Sequence, residues 1–356
     1  MTTTYEAPAA VAEQSARSTR PFALLRAGFP YYATLGMRRV TTYCIDIAIG
    51  GEGRLYGLLR DDLPNGTFIR RFNWDDEDLG GISSTGSGQG QLLWPVTLIR
   101  DREETLYVSD EGLHRISAFR PDGTFVGSWG TFGSEPGQIN RPAGIAFDAD
   151  ENVYLADALN HRVQKFSKDG RFISTFGRLG DGKGEFNMPW GITVDELGDL
   201  YVVDWRNDRV QKFDSEGRFI FQFGRSGSEK GEFKRPAGIT VDSDGDIYVA
   251  DRGNDRVQQF DARGRYVDMF LGDATLSKMA RVYVLSNPKV LRLREMLDLG
   301  PQRRLRGPAS VRFDDQGRMY IPDFGCHRIQ IYKKEAYPLT QAEIWPEQSS
   351  PMLYTV

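Results

Sequence analysis

The chain has 356 residues, a formal net charge of −4 and a pI near 5.6, which argues against a general electrostatic affinity for nucleic acid. Two cysteines are too few for a disulfide framework and show no metal-ligand spacing. No apolar run is long enough to span a membrane, and the first twenty residues lack the apolar core of a signal peptide. A soluble cytoplasmic protein is expected.

In chain order, residues 1–29 read as a tail. The segment Tyr31–Gly36 (YYATLG) matches Phe172–Gly177 (FISTFG), the end of a later unit, and is expected to serve as an outer strand far from its place in sequence. Ile47–Leu59 follows the pattern of the later units in degenerate form, with Leu59 where those have Asp. Asn65-Gly66-Thr67 reads as a hairpin turn rather than a glycosylation site. Gly86–Gly90 is a lone glycine cluster with no helix after it, hence a linker and not a phosphate loop.

The pattern is regular from Pro95 onward. Pro95, Pro142, Pro189 and Pro236 stand 47 residues apart, and so do Asp110, Asp157, Asp204 and Asp251. Self-similarity at such a period marks a propeller or an array. Each unit contains four short runs of alternating apolar and polar residues, rich in β-branched and aromatic types and bounded by Gly, Asp or Asn. That is how strands and hairpins read. A four-stranded sheet cannot bury both faces alone, so the units are expected to stack radially. A further copy, from Pro308 to Asp323, comes 72 residues after the previous one, so 25 residues are inserted. The expected fold is all-β: one six-bladed β-propeller over residues 30–335, a helical basic insert at 273–306 and a tail at 336–356. The Tyr31 segment would close the last blade.

The recurring Tyr-Val-x-Asp, followed by Asn-x-Arg-Val-Gln-x-Phe, is similar to the NHL repeat over roughly residues 45–332. The pairs Asp110/Arg115, Asp157/Arg162, Asp204/Arg209, Asp251/Arg256 and Asp323/Arg328 are expected to bond bidentately across one tight turn, as structural elements. His114, His161 and His327 each precede the signature Arg, so they too read as structural rather than as a zinc site. Family members that act as amidating lyases carry metal-binding His directly after the Pro that opens a blade. Here those places hold Val96, Ala143, Trp190, Ala237 and Ala309, and that activity is not implied. Asp242–Asp246 begins like an EF-hand loop but lacks the closing Glu and flanking helices, so a turn is expected. Cys44 and Cys326 fall near the ring closure and are expected as separate thiols. No nucleophile elbow is present. No catalytic residue, metal or cofactor is assigned.

The loops joining second to third strands share one face of the ring with the blade-to-blade connections. Trp205, Arg206, Arg252 and Phe324 stand there where a turn needs only small polar residues, and Trp190 opens its blade nearby. Trp and Arg are enriched at binding hot spots, which makes these five a candidate partner-binding set. In the insert, Asn287-Pro288 reads as a helix start, and Val290, Leu291, Leu293, Met296 and Leu297 follow at near-helical spacing. Eight basic residues against three acidic ones give the insert +5, leaving −9 for the rest. Arg292 and Arg294 complete the candidate set, on a helix expected to be a docking arm or a cover over the channel. The function expected is a non-catalytic scaffold for a protein partner. The alternative is a hydrolase or lyase in the channel mouth under the insert, with a small-molecule ligand. RNA binding ranks third and is disfavoured by the acidic background.

Overall fold

A computed structural model describes residues 25–36, 40–60 and 68–338; the Asn65-Gly66-Thr67 turn lies outside them. Six four-stranded antiparallel sheets stand around a central channel. In the fourth blade the strands run Pro189–Val194, Leu200–Asp204, Arg209–Phe213 and Phe219–Phe223, from the channel outward. The first blade comprises Cys44–Ile49, Leu55–Leu59, Ile69–Phe72 and Asp78–Ile82. The sixth takes Arg312–Phe313, Arg318–Asp323 and Arg328–Lys333 from the C-terminal part and Tyr31–Gly36 as its outer strand. The registration is Tyr31 with Tyr332, Thr34 with Gln330 and Gly36 with Arg328, so the ring closes as the repeat pattern requires.

A second clasp lies in segments that the sequence pattern leaves as tails. Leu25–Gly28 pairs antiparallel with Glu335–Pro338. Lys334, just before that strand, is buried and reaches Asp242, Asp244 and Asp246 at 2.5, 3.0 and 2.9 Å. The EF-hand-like triplet is therefore a hairpin turn whose carboxylates converge on an ammonium, and it ties the chain's far end to the fifth blade.

Packing follows the same repetition. Each interface between neighbouring blades holds its own apolar cluster, such as Tyr201, Val203, Phe223, Ile239, Val249 and Phe260 between the fourth and fifth. An aromatic ending one outer strand packs on the Phe ending the next blade's third strand: Trp129 on Phe166, Phe176 on Phe213 and Phe223 on Phe260, at 4.8–4.9 Å. Offset and edge contacts of this kind add to plain burial.

The signature aspartate locks blade to linker. The buried Asp204 accepts from Arg209 Nε at 2.9 Å, Asn207 Nδ2 at 2.8 Å and, through its other oxygen, the backbone N–H of Asn187 at 2.7 Å. The remaining Arg209 nitrogens donate to the carbonyls of Asp181, Gly182 and Glu185 in the preceding linker. The expected bidentate pair is thus a single Nε–Oδ2 bond: the guanidinium fork faces the linker, whose carbonyls need donors. Asp157, Asp251 and Asp323 repeat the bond at 2.8–2.9 Å. Asp110 and Arg115 do not. Leu113 and Ser117 replace the Asn and Gln that hold the carboxylate in place in blades three to five. Asp110 instead accepts four backbone N–H groups, of Leu93, Trp94, Gly112 and Leu113.

The insert forms two consecutive helices, α1 (Lys278–Ser286) and α2 (Pro288–Glu295), and a short turn at Gly300–Arg303. Asn287 caps α2 and Pro288 stands at its first position, as the sequence predicts; α1, capped by Ser277, is an addition. No helix among the described residues is long and apolar enough to cross a membrane.

Two outcomes follow. Arg209→Ala leaves the buried Asp204 carboxylate without its cation and should cost about 3–5 kcal/mol in urea unfolding, whereas Arg115→Ala, which breaks no ion pair, should cost clearly less. Deleting residues 1–36 removes the closing strand and exposes an unpaired edge, so aggregation or a large fall in melting temperature is expected, whereas deleting residues 1–24 should leave melting unchanged.

Candidate functional site

The channel is built from the same two places in every blade. The third residue of each inner segment forms its waist: Asp46, Thr97, Gly144, Gly191, Gly238 and Ser310, all lining one cavity. The glycines are required by close approach. A Cβ on Gly191 would lie 2.2 Å from the Ala237 carbonyl oxygen, and one on Gly144 would lie 2.4 Å from that of Trp190. Three blades thus press backbone against backbone, while the opposite arc presents Asp46, Thr97 and Ser310. Arg312 reaches across the closure seam to grip Asp46 with Nε at 2.9 Å and a terminal nitrogen at 2.6 Å. Asp46 also accepts from the N–H groups of Ile47 and Leu98. The space left is about 40 Å³, room for a few waters.

Above the waist, the residue following each signature position forms a ring at the mouth: Arg60, Glu111, Ala158, Trp205, Arg252 and Phe324. Arg60 and Arg252 line the cavity together with Trp190. Arg60 stacks over Trp94 at 4.9 Å and pairs with the buried Glu111 at 2.5 Å, which also holds Arg141 at 3.1 Å. Trp190 and Trp205 stack with centroids 6.0 Å apart, and Arg206 and Arg235 lie 5.7 and 5.5 Å from the Trp205 ring. Arg252 sits 5.3 Å over Phe324, which Tyr43 contacts from its other neighbours at 5.3 Å. Burial, and then the charge of Arg60, lower the pKa of Arg252.

The structure therefore brings Trp190, Trp205, Arg206, Arg252 and Phe324 to one mouth. It does not bring Arg292 and Arg294 there. No residue of the insert lines the channel. The insert leaves at Asp273 and runs outward: Thr275 bonds Thr34 on the sixth blade's outer strand, and Lys278 and Met279 meet Asp75 and Asp76 of the first blade. A cover over the channel is thus corrected to a projection on the flank of the closure seam. The physical reason is the short stem, where Ala274 pairs with Arg303 and Leu305 with Leu271, holding the helices near the outer strands.

Sequence reading missed Arg60, Glu111, Ser310 and the Asp46–Arg312 pair. Counting one place past Leu59, in the register of the other blades, would have found Arg60. The histidines are structural, as expected. Each occupies a left-handed position (φ 52–55°), and its Nδ1 accepts a backbone N–H from the next blade: Arg141 to His114, Met188 to His161 and Tyr43 to His327, at 3.0–3.1 Å. Asp208 and Asp255 do the same work in the fourth and fifth blades. Cys44 and Cys326 are both free thiols.

The family model of the NHL repeat matches residues 140–166, 186–213 and 233–260, that is, blades three to five. No curated protein matches by sequence. Among solved structures, a streptogramin B lyase aligns with a TM-score of 0.54 at 12% identity, over 90% of this chain and 89% of that one. A virginiamycin B lyase from Staphylococcus aureus, solved with quinupristin, gives 0.54 at 13% identity over 90% of each chain. The WD40 propeller domain of Doa1 gives 0.54 at 12% identity, over 86% of this chain and 97% of that one. At these identities the likeness is one of fold.

The histidine staples make stability pH-dependent. Burial is the first cause lowering the pKa of both His114 and His161; the charges of Arg141 and Arg206, respectively, act in the same direction. A lowered folded pKa means the neutral ring is the one stabilised. That contribution is complete above the unfolded value of about 6.5 and is lost as pH falls toward the folded one. Melting temperature should drop between pH 7.5 and 5.5, and the drop should shrink in His114→Asn/His161→Asn, whose amide oxygens accept without titrating. An equal drop in both proteins would refute the assignment.

Proposed function

The chain is an NHL-repeat β-propeller, and from that premise we propose that it is a non-catalytic scaffold holding a protein partner on its insert. One observation carries this reading. Val282, Tyr283, Leu285, Leu293, Met296 and Leu297, on and just after two adjacent helices, are 55–76% exposed. Only Val284 of the two helices is buried. Exposed apolar side chains gathered in this way mark an interaction surface. Arg281, Arg292 and Lys289 are exposed beside them, so the complementary partner surface is apolar with an acidic rim. The mouth residues Trp190, Trp205, Arg206, Arg252 and Phe324 form a second contact zone. We place the protein in the cytoplasm, where two free thiols are the ordinary state.

A hydrolase or lyase in the channel has less support. A space of about 40 Å³ compares with roughly 300–1,000 Å³ for a ligand pocket. The acid in its wall, Asp46, is clamped by Arg312 and two backbone N–H groups.

Replacing Asp273–Arg306 with the linker sequence Arg225–Arg235 tests the scaffold. That linker supplies the carbonyls that Arg256 and Gln258 use, so the swapped protein should fold and melt within a few degrees of the parent. Partners recovered by cross-linking and pull-down with the parent should be lost with the swap, and weakened by Arg292→Glu/Arg294→Glu, most at low salt. Undiminished recovery with the swapped protein would overturn the reading.

A further inference from the structure

The mouth ring contains a cation that the fold does not use. The guanidinium of Arg252 makes no hydrogen bond or ion pair among the described residues; its one close partner is the face of Phe324. Its place in the ring is held by Glu111, Ala158, Trp205 and Phe324 in other blades, so propeller geometry does not demand arginine there. Arg60, across the same cavity, adds a like charge, and its Nε is buried without a partner. The buried hydroxyl of Ser310, in the cavity wall, is also without a partner. A half-buried, unpaired guanidinium is costly, and arginine cannot relieve the cost by losing its proton. Three unfilled donors around one small polar space therefore describe the complement of an oxyanion.

We infer that the channel mouth binds a single carboxylate, received by Arg252 and Arg60 between the walls of Phe324 and Trp94. The planar fork of arginine matches a carboxylate in two parallel bonds. The cavity of about 40 Å³ admits the head of such a group and not a whole metabolite, so the rest of the ligand stays outside the mouth. The carboxylate has two sources, a free small acid or the side chain of an acidic residue on a protein segment. The site is independent of the insert, since no insert residue lines it.

Sodium acetate replacing chloride at constant ionic strength, and the peptides acetyl-Gly-Gly-Glu-Gly-Gly-amide and its Gln counterpart, probe the site by thermal melting and calorimetry. Acetate should raise the melting temperature by about 2 °C or more, and the Glu peptide should bind while the Gln peptide does not. Arg252→Gln should abolish both responses. In chloride that variant should melt no lower than the parent, because it removes an unpaired charge repelled by Arg60. Binding of the Glu peptide at least tenfold tighter than acetate assigns the carboxylate to a protein segment; equal or weaker binding assigns it to a free acid. The insert-swapped protein should respond as the parent does, which separates this site from the insert's role. No response in the parent, a response that survives Arg252→Gln, or a variant that melts several degrees lower in chloride would each overturn the inference.

Discussion

The buried carboxylate that ends the second strand in blades two to six is the constraint on which the ring depends. Removed from water, it must be satisfied within the fold, and the donors that satisfy it come from three directions. In blades three to six, an arginine comes from the third strand, a glutamine from the same strand two places on, and a backbone N–H from the linker arriving from the previous blade. In the fourth blade these are Arg209, Gln211 and Asn187. Burial pushes the carboxyls of Asp157, Asp204 and Asp251 above the ordinary range despite these donors. Such a cluster is a poor source of net stability and a strong specifier of register, since no other alignment of linker and blade supplies the same set.

Register at the rim then fixes geometry at the channel. Because the linkers into blades two to six are each held by a backbone N–H on this aspartate, their inner strands enter the channel alike, and the third residue of each reaches the waist. Blades three to five meet there as glycines, and they are the blades that match the repeat family model. Blades six, one and two depart from the pattern and place Ser310, Asp46 and Thr97 on the opposite arc. The regular half of the ring is scaffold, and the irregular half carries the polar groups. The ring-closure seam, gripped by Arg312 on Asp46, lies in that irregular half, and the insert projects from its flank.

This division explains what the sequence disclosed. Strand positions, blade number, closure by Tyr31–Gly36 and the start of α2 were legible because each follows from spacing or from a local cap. The mouth was legible only in part. Trp205 and Arg252 stand in well-preserved units, but Arg60 stands in a unit that has lost its aspartate, so nothing local marks it as their counterpart. Its nearness to Arg252 is a product of ring closure, across 192 residues of chain. The first insert helix was missed for a different reason. Its text, KMARVYVLS, contains two valines and a tyrosine, types that favour strands, and only the Ser277 cap and the absence of a neighbouring edge make it helical. The single bond between Arg209 and Asp204 could not be anticipated from the pair alone, because the linker carbonyls that claim the guanidinium fork lie 24 to 28 residues upstream.

Charge distribution links the two surfaces. The chain is acidic overall, yet many of its carboxylates near the ring are engaged: the hub aspartates of blades three to six by arginine, and hairpin aspartates by Lys165, Lys212, Lys334 and Arg318. Arg252 at the mouth and Arg281, Lys289 and Arg292 on the insert are in no ion pair among the described residues. Fields from fixed charges in a narrow, poorly hydrated opening are less screened than those on an open surface. On the readings proposed above, the mouth would select one acidic group at close range, whereas the insert, exposed to salt, would gain mainly from its apolar side chains and use its arginines for orientation.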